Sequence, residues 1–145
     1  MLNPLSFQPL QSAENEWREI VDSVPENCRV VLAQVMARES TRLADRFYSY
    51  MMGHPQAKVF LSAEVVHQRL HASMARWLQE LFFHPMGDPT SIVAHQRFVG
   101  EVHARIQLPI HLVSRGARLI KHDVQVALTC EFDDAELLAT TVAFV

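Results

Sequence analysis

The sequence has few cysteines and no long apolar run. Its only two cysteines, Cys28 and Cys130, form no CxxC pair, so neither a disulfide framework nor a thiolate metal site is indicated. The apolar runs, such as residues 81–83, are much shorter than the roughly 18 residues that span a bilayer. A basic stretch followed by an apolar one, as in a signal peptide, is also missing at the N-terminus. We therefore expect a cytoplasmic chain with no membrane partner.

An excess of one charge is absent as well. The sequence has 13 Lys and Arg against 16 Asp and Glu, a formal net charge of −3, with both signs mixed along the chain. We therefore expect no nucleic-acid partner. The 145 residues are 49% hydrophobic, which is enough for the core of one domain. We expect a single domain over residues 1–145, with a loose leader over about residues 1–11.

The four glycines and seven prolines act as punctuation between stretches that have apolar residues at helical spacing. These stretches predict a short helix around Trp17, helices over about residues 26–52, 62–84, 89–106 and 110–129, and a last helix from Ala135. Ser62 is a suitable N-cap for its helix. No segment has the period-two alternation of a strand, so we expect an all-α domain of about six helices. Because the last helix is still apolar at Val145, we expect the natural protein to continue further.

His103 is the first candidate ligand among the eight histidines. It lies on the apolar face of the helix predicted over residues 89–106, with Val99 and Ile106 about one turn away on either side. Haem iron binds a neutral imidazole in a dry, apolar slot, and these neighbours fit that requirement. Spacing alone leaves two alternatives open: His103 could be an ordinary core residue, and His95 on the same face is a rival ligand. No CxxCH motif occurs, so any haem is held without thioether links.

Two further histidines, His67 and His71, stand four residues apart on one predicted helix. This spacing can bind zinc, although no third ligand and no HExxH pattern accompanies them. His67 lies at the edge of the apolar face and is an alternative distal residue of a haem site. His71 is expected to be solvated.

Tyr48 is a candidate hydrogen-bond donor on the distal side of such a site. On its predicted helix it shares a stripe with Ala37, Thr41 and Ala44, whose small side chains leave room beside the phenol. Oxygen on a ferrous haem carries partial negative charge, so a hydroxyl donor stabilises it much more than carbon monoxide. The alternative is a buried tyrosine that bonds to a backbone carbonyl. The residues alone leave both possibilities open.

Four separated parts of the sequence resemble the haem domain of bacterial globin-coupled sensors, in matching order and spacing. Arg46-Phe47-Tyr48 resembles the distal-tyrosine segment, and Phe60-Leu61-Ser62 resembles a corner that packs on haem. Residues 66–70 with 74–77 resemble the distal helix. Residues 99–106 with Leu108-Pro109 resemble the proximal-histidine helix. The resemblance extends from about Trp17 to the C-terminus. It is strongest for sensors whose output domain is a diguanylate cyclase.

The resemblance implies a globin-like fold that encloses a non-covalent haem b, with His103 as the axial ligand of the iron. It implies Tyr48 as the distal donor to O2, CO or NO. Phe60, Leu70, Met74 and Val99 are the further residues that we expect in the haem pocket. In this interpretation His95 is a packed or surface residue, and His67 matches no functional histidine of the family.

The function that the resemblance implies is oxygen sensing that regulates a C-terminal output domain, a diguanylate cyclase that makes cyclic di-GMP. The chain itself is not expected to be an enzyme, since it has no cyclase motif, no glycine-rich phosphate loop and no nucleophile paired with a base. A homodimer through the last two helices is also implied; apolar residues that could serve either that contact or the core are Leu112, Leu119, Val126 and Leu137. Two other functions stay open: a haem-free globin-like module that only dimerises, and an oxygen carrier or dioxygenase-like globin that acts alone.

Overall fold

The computed structural model describes residues 9–83, 88–131, 135–136, 139 and 141. Its helices are α1 Pro9–Ser23, α2 Glu26–Gly53, α3 Ala63–Val65, α4 His71–Phe83, α5 Pro89–Arg105 and α6 Ile110–Thr129, with a 3-10 turn at Ala57–Val59 and a π-helical segment at Val66–Leu70. This part of the chain contains no β-strand, so the predicted all-α class is confirmed. None of the helices described here has the length and apolar character that a membrane crossing requires.

Several helix ends lie where local chemistry predicts them. The amide of Val65 donates a hydrogen bond of 3.2 Å to Oγ of Ser62, so Ser62 caps its helix as expected. Pro25 and Pro109 directly precede α2 and α6, where a residue without an N–H group loses no helical hydrogen bond. These three residues mark where α2, α3 and α6 begin.

Other predicted boundaries differ from the structure. Helix α1 begins at Pro9, so it includes the end of the leader that the sequence predicts as loose; residues 1–8 lie outside the described part. The helix predicted over residues 62–84 is interrupted by the π-helical segment Val66–Leu70. The apolar spacing over residues 62–84 predicts a continuous helix and does not reveal this interruption. The helix predicted from Ala135 lies largely outside the described residues.

The main core lies where α2, α4 and α6 meet. Its buried residues are Leu32, Val35, Met36, Leu43, Leu78, Val124, Ala127 and Leu128. Nε2 of Gln79 donates a hydrogen bond of 2.7 Å to Oγ of Ser40 across α4 and α2, which satisfies a buried hydroxyl. Burial of this apolar surface is the main favourable contribution to the fold.

A second, smaller group of apolar residues lies at the C-terminal end of α2. Its buried residues are Met51, Ala57 and Leu112, and Phe47, Phe60, Leu61 and Leu108 pack against them. We call these seven residues the corner cluster. It holds together the end of α2, the 3-10 turn, the chain after α5 and the start of α6. Leu112 is 1% exposed, so this residue belongs to the core and not to a dimer contact.

An ion pair also joins α2 to α6. Nη2 of Arg46 lies 3.2 Å from Oδ1 of Asp123. The aspartate is 3% exposed, whereas about half of the arginine side chain is exposed. A buried carboxylate without a partner is costly, so the arginine offsets the cost of burying Asp123.

We expect Arg46→Ala to lower the free energy of unfolding by about 3 kcal/mol, because the Asp123 carboxylate then stays buried without its counter-charge. Urea unfolding measures this change. Arg42→Ala is the matched control, since Arg42 is equally exposed and pairs with Glu39 at the surface; its effect should stay below about 1 kcal/mol. Equal losses in the two variants would contradict the importance of the ion pair.

Candidate functional site

Helix α5, which carries His103, has no buried residue. Its apolar residues Val99 and Val102 are half-buried, and Ile106 is 44% exposed. Among the described residues α5 packs mainly on α1, and its contacts with α4 are few. An amphipathic helix of a globular protein normally buries its apolar stripe against another element. The stripe on α5 is therefore open to a further apolar group.

A cleft of about 310 Å³ lies between α4 and α5. Trp77 and Leu81 line it from α4, and Ile92 and His95 line it from α5. This volume is near the lower end of the range for ligand pockets. His103 lies about two helical turns further along α5 and is not among the residues that line this cleft. His95 itself is exposed.

His103 lies half-buried in the last turn of α5. Burial lowers the pKa of its imidazole below the ordinary value of 6.5, because removal from water disfavours the charged form. The neutral ring is the form that binds iron. The protonation state of His103 at neutral pH therefore suits an axial ligand.

Helix α5 ends shortly after His103 with one residue in the left-handed backbone conformation. Gln107 has a φ of 57°, and its amide donates to the carbonyl of Ala104 at 3.0 Å. The amide of Leu108 donates to the carbonyl of His103 at 2.9 Å, which completes a common motif for ending helices. Since the Leu108 side chain packs in the corner cluster, the position of His103 is tied to that cluster.

Tyr48 lies on the buried face of α2 and is 8% exposed. Its hydroxyl donates a hydrogen bond of 3.2 Å to the backbone carbonyl of Leu70. Burial raises the pKa of the Tyr48 phenol to about 12, so the group keeps its proton at neutral pH and remains a donor. In this structure the hydroxyl bonds to a backbone carbonyl. This is the alternative to a gas ligand that the sequence left open.

Leu70 is the last residue of the π-helical segment. Such segments inside α-helices are frequent at functional sites. Tyr48 and Leu70 are thus two predicted site residues that the structure brings into contact. The side chain of His67 lies outside the described part of the chain, and its distal role stays a prediction.

The other predicted pocket residues are all half-buried, in different surroundings. Met74 packs against the main core, and Phe60 packs against the corner cluster. Val99 lies one turn before His103 on α5. Each of the three retains exposed surface that a bound group could cover.

The small residues expected beside Tyr48 are placed differently. Ala44 is buried, but Ala37 and Thr41 are exposed. The buried face of α2 is shifted around the helix toward Ser40 and Leu43, so Ala37 and Thr41 lie at the surface. The expectation that they leave room beside the phenol is wrong.

The surroundings of Tyr48 include two residues that sequence reasoning missed. The rings of Phe47 and Tyr48 meet edge to face, with centroids 5.0 Å apart and an interplanar angle of 86°. The Phe47 ring also lies against Gly116 of α6. A glycine inside a helix costs about 1 kcal/mol relative to alanine and usually has a packing reason. The glycine at position 116, inside a predicted helix, was therefore a sequence signal for a close contact at this position.

The zinc alternative receives no support from the described residues, among which no group of three His, Cys, Asp or Glu could hold a metal ion. His71 is not solvated as expected. It is half-buried, and its Nε2 lies 2.6 Å from Oδ1 of Asp45, because the two residues face each other across α4 and α2.

Comparison with known proteins adds a family to this geometry. A family model described as Protoglobin matches residues 15–145. The chain belongs to the protoglobin family. This protoglobin domain is 31% identical over 108 residues, 74% of the chain, to Diguanylate cyclase DosC of Escherichia coli strain K12 and to that of Shigella flexneri. The matches cover 24% and 28% of those proteins, so the chain spans about a quarter of the length of these relatives.

Solved structures resemble the protoglobin domain over most of its length. The globin domain of E. coli DosC, in a ferric and a ferrous form, matches with a TM-score of 0.85 and 26% identity, covering 92% of this chain and 89% of that one. The globin domain of a Geobacter sulfurreducens globin-coupled sensor matches in fold, with a TM-score of 0.73, 22% identity and coverage of 93% and 86%. The predicted globin-like fold and the resemblance to globin-coupled sensors are confirmed.

We expect Tyr48→Phe to lower the free energy of unfolding of the chain without added haem by about 1 kcal/mol, because it removes the donor to the Leu70 carbonyl. Urea unfolding measures the loss. Tyr50→Phe is the control: Tyr50 is 49% exposed, and its hydroxyl accepts a surface hydrogen bond from Arg115, so its loss should stay within about 0.5 kcal/mol. An unchanged stability of Tyr48→Phe would show that the buried hydrogen bond contributes nothing.

Proposed function

We propose that this protoglobin domain binds haem b and senses a diatomic gas, O2 in preference to CO or NO. In the whole protein it regulates a C-terminal diguanylate cyclase that makes cyclic di-GMP. The observation that carries the proposal is the open apolar stripe of α5 with His103 on it. One relative adds support, because DosC is by name a diguanylate cyclase and its globin domain occurs in ferric and ferrous forms.

Residues of both α4 and α5 suit a haem. His103 offers a neutral imidazole, and the half-buried side chains of Val99 and Met74 offer apolar surface from α5 and α4. A flat, largely hydrophobic group between these helices would cover the stripe that α5 leaves exposed. A haem held by His103 would supply iron chemistry, the reversible binding of a diatomic gas.

Tyr48 is the hydrogen-bond donor on the distal side of the proposed site. Its hydroxyl, kept protonated by the raised pKa, bonds to the Leu70 carbonyl and can donate instead to a gas molecule that enters. Hydrogen bonds to charged acceptors are stronger than those to neutral ones. The donor therefore favours O2, which gains partial negative charge in such a site, over CO.

The remaining expectations belong to the same proposal. The domain forms a homodimer through its C-terminal helices, where Leu119 is half-buried and Val126 is 39% exposed; Leu137 lies outside the described residues. The chain itself is a regulatory module, and catalysis belongs to the output domain. A single domain over residues 1–145 and a cytoplasmic location stay predictions from the sequence.

Two other functions compete with this proposal. A haem-free dimerisation module would leave the α5 stripe for a protein partner and would show no Soret absorption band after reconstitution with haem. A freestanding oxygen carrier would need no output domain. The similarity to DosC, a much longer protein, favours a sensor over a carrier.

We expect His103→Ala to lose haem or hold it loosely, because the substitution removes the only axial ligand that the proposal provides. The measurement is the Soret absorption per chain after reconstitution and gel filtration. His95→Ala is the control on the same helix and should retain haem like the unmodified chain. The reverse pattern, with haem lost only in His95→Ala, would overturn the assignment.

We expect Tyr48→Phe to make O2 dissociate on the order of ten to a hundred times faster, since a hydrogen bond to a partly anionic atom contributes about 1.5–3 kcal/mol. The dissociation of CO should change much less. Stopped-flow measurements on the ferrous protein give both rates. Because loss of one oxygen atom enlarges the pocket equally for both gases, equal effects on O2 and CO would indicate a steric role for Tyr48.

A further inference from the structure

Gly116 lies on the buried side of α6, where this helix crosses α2. A methyl group added at Gly116 would lie 3.1 Å from Cε2 and 3.3 Å from Cζ of Phe47. Both distances are shorter than the favourable carbon–carbon separation of about 3.5–4.0 Å. The Phe47 ring therefore fills space that a glycine leaves free and an alanine would not.

The contact continues from Phe47 to Tyr48. Their rings meet edge to face at 5.0 Å, an arrangement that aromatic pairs prefer. Phe47 also packs in the corner cluster, so its ring contacts residues of this cluster as well as Tyr48 and Gly116. A displacement of this ring by a methyl group on α6 therefore changes its contacts with the corner cluster, with Tyr48 or with both.

The Tyr48 hydroxyl is placed where small movements matter. Its hydrogen bond to the Leu70 carbonyl is 3.2 Å long, beyond the usual range of about 2.5–3.0 Å for a hydroxyl donor. The arginine that precedes Phe47 in α2, Arg46, pairs with Asp123 of α6. Both residues directly before Tyr48 thus contact α6, and the position of α6 constrains the phenol.

We propose that Gly116 is a positioning residue for Tyr48: its missing side chain sets where the Phe47 ring lies, and the ring sets where the Tyr48 hydroxyl donates. The consequence for gas binding rests on the proposed function. The steric contact itself needs no haem. Through this contact α6 and the distal donor influence each other.

The first test compares Gly116→Ala with Gly100→Ala in the chain without haem. Both glycines lie inside helices and gain the same helix propensity, but a methyl at Gly100 meets nothing within 4 Å. In a Tyr50→Phe background Tyr48 is the single remaining tyrosine of the two, so 13C-tyrosine labelling reports its ring alone by NMR. Gly116→Ala should shift the Tyr48 ring resonances and Gly100→Ala should not. Equal spectra for the two variants overturn the proposal.

A double-mutant cycle keeps the test valid if Gly116→Ala folds poorly. With Phe47 present, Gly116→Ala should have a lower urea midpoint than Gly100→Ala, because the gain in helix propensity is offset by the contact. In a Phe47→Leu background the ring is gone, and the two alanine substitutions should raise the midpoint equally. A penalty for Gly116→Ala that stays the same without the ring would overturn the role of Phe47.

The haem-loaded chain tests the consequence for the gas. We expect Gly116→Ala to speed O2 dissociation by about threefold to tenfold, with little change for CO, and this effect should vanish in a Tyr48→Phe background. An effect that persists without the hydroxyl would overturn the positioning role. If even the unmodified chain takes up no haem, the proposed function fails, while the NMR comparison still decides the inference.

Discussion

The apolar stripe of α5, which is only half-covered, is the constraint on which the rest of the structure depends. Exposure of Val99, Val102 and Ile106 to water costs about 25 cal/mol for each Å² of apolar surface. A flat hydrophobic group between α4 and α5 would remove that cost, and one bond to His103 would fix its orientation. Under the proposed function, haem binding and folding are therefore linked, and the chain becomes more stable as haem is bound more tightly.

Both sides of the proposed site are joined to the corner cluster. Leu108 connects it to the proximal side through the hydrogen bond to the His103 carbonyl. Phe47 connects it to the distal side through the Tyr48 ring. Because protein interiors are close-packed, a displacement at one side is transmitted and not absorbed. Leu112 is the residue of α6 in this cluster, so α6 is in contact with both sides through the corner cluster.

The sequence predicts features that depend on local chemistry or on a distinctive motif. The helix starts after Pro25 and Pro109 follow from backbone sterics, and the segment around His103 carries a family pattern. The π-helical interruption has no local start or stop signal such as a proline or a glycine, so it was not predictable. The exposure of Ala37 depends on how far α2 is rotated, and a helical wheel does not fix that rotation. The contact between Phe47 and Gly116 depends on how α2 crosses α6, which only the packed structure determines.

The hydrogen bond from Tyr48 to Leu70 gives the proposed sensor its selectivity, because any ligand must compete with the carbonyl for the hydroxyl. A long bond to a neutral carbonyl, here 3.2 Å, contributes about 0.5–1.5 kcal/mol, whereas a bond to a partly anionic oxygen contributes about 1.5–3 kcal/mol. At equilibrium, the difference of about 1 kcal/mol or more shifts the hydroxyl toward O2 by a factor of roughly five to ten, whereas the rate at which O2 dissociates reflects the whole bond to O2. CO offers too little charge to displace the carbonyl. The Leu70 carbonyl thus lowers the affinity for O2 slightly, and in return the position of the Tyr48 hydroxyl distinguishes O2 from CO.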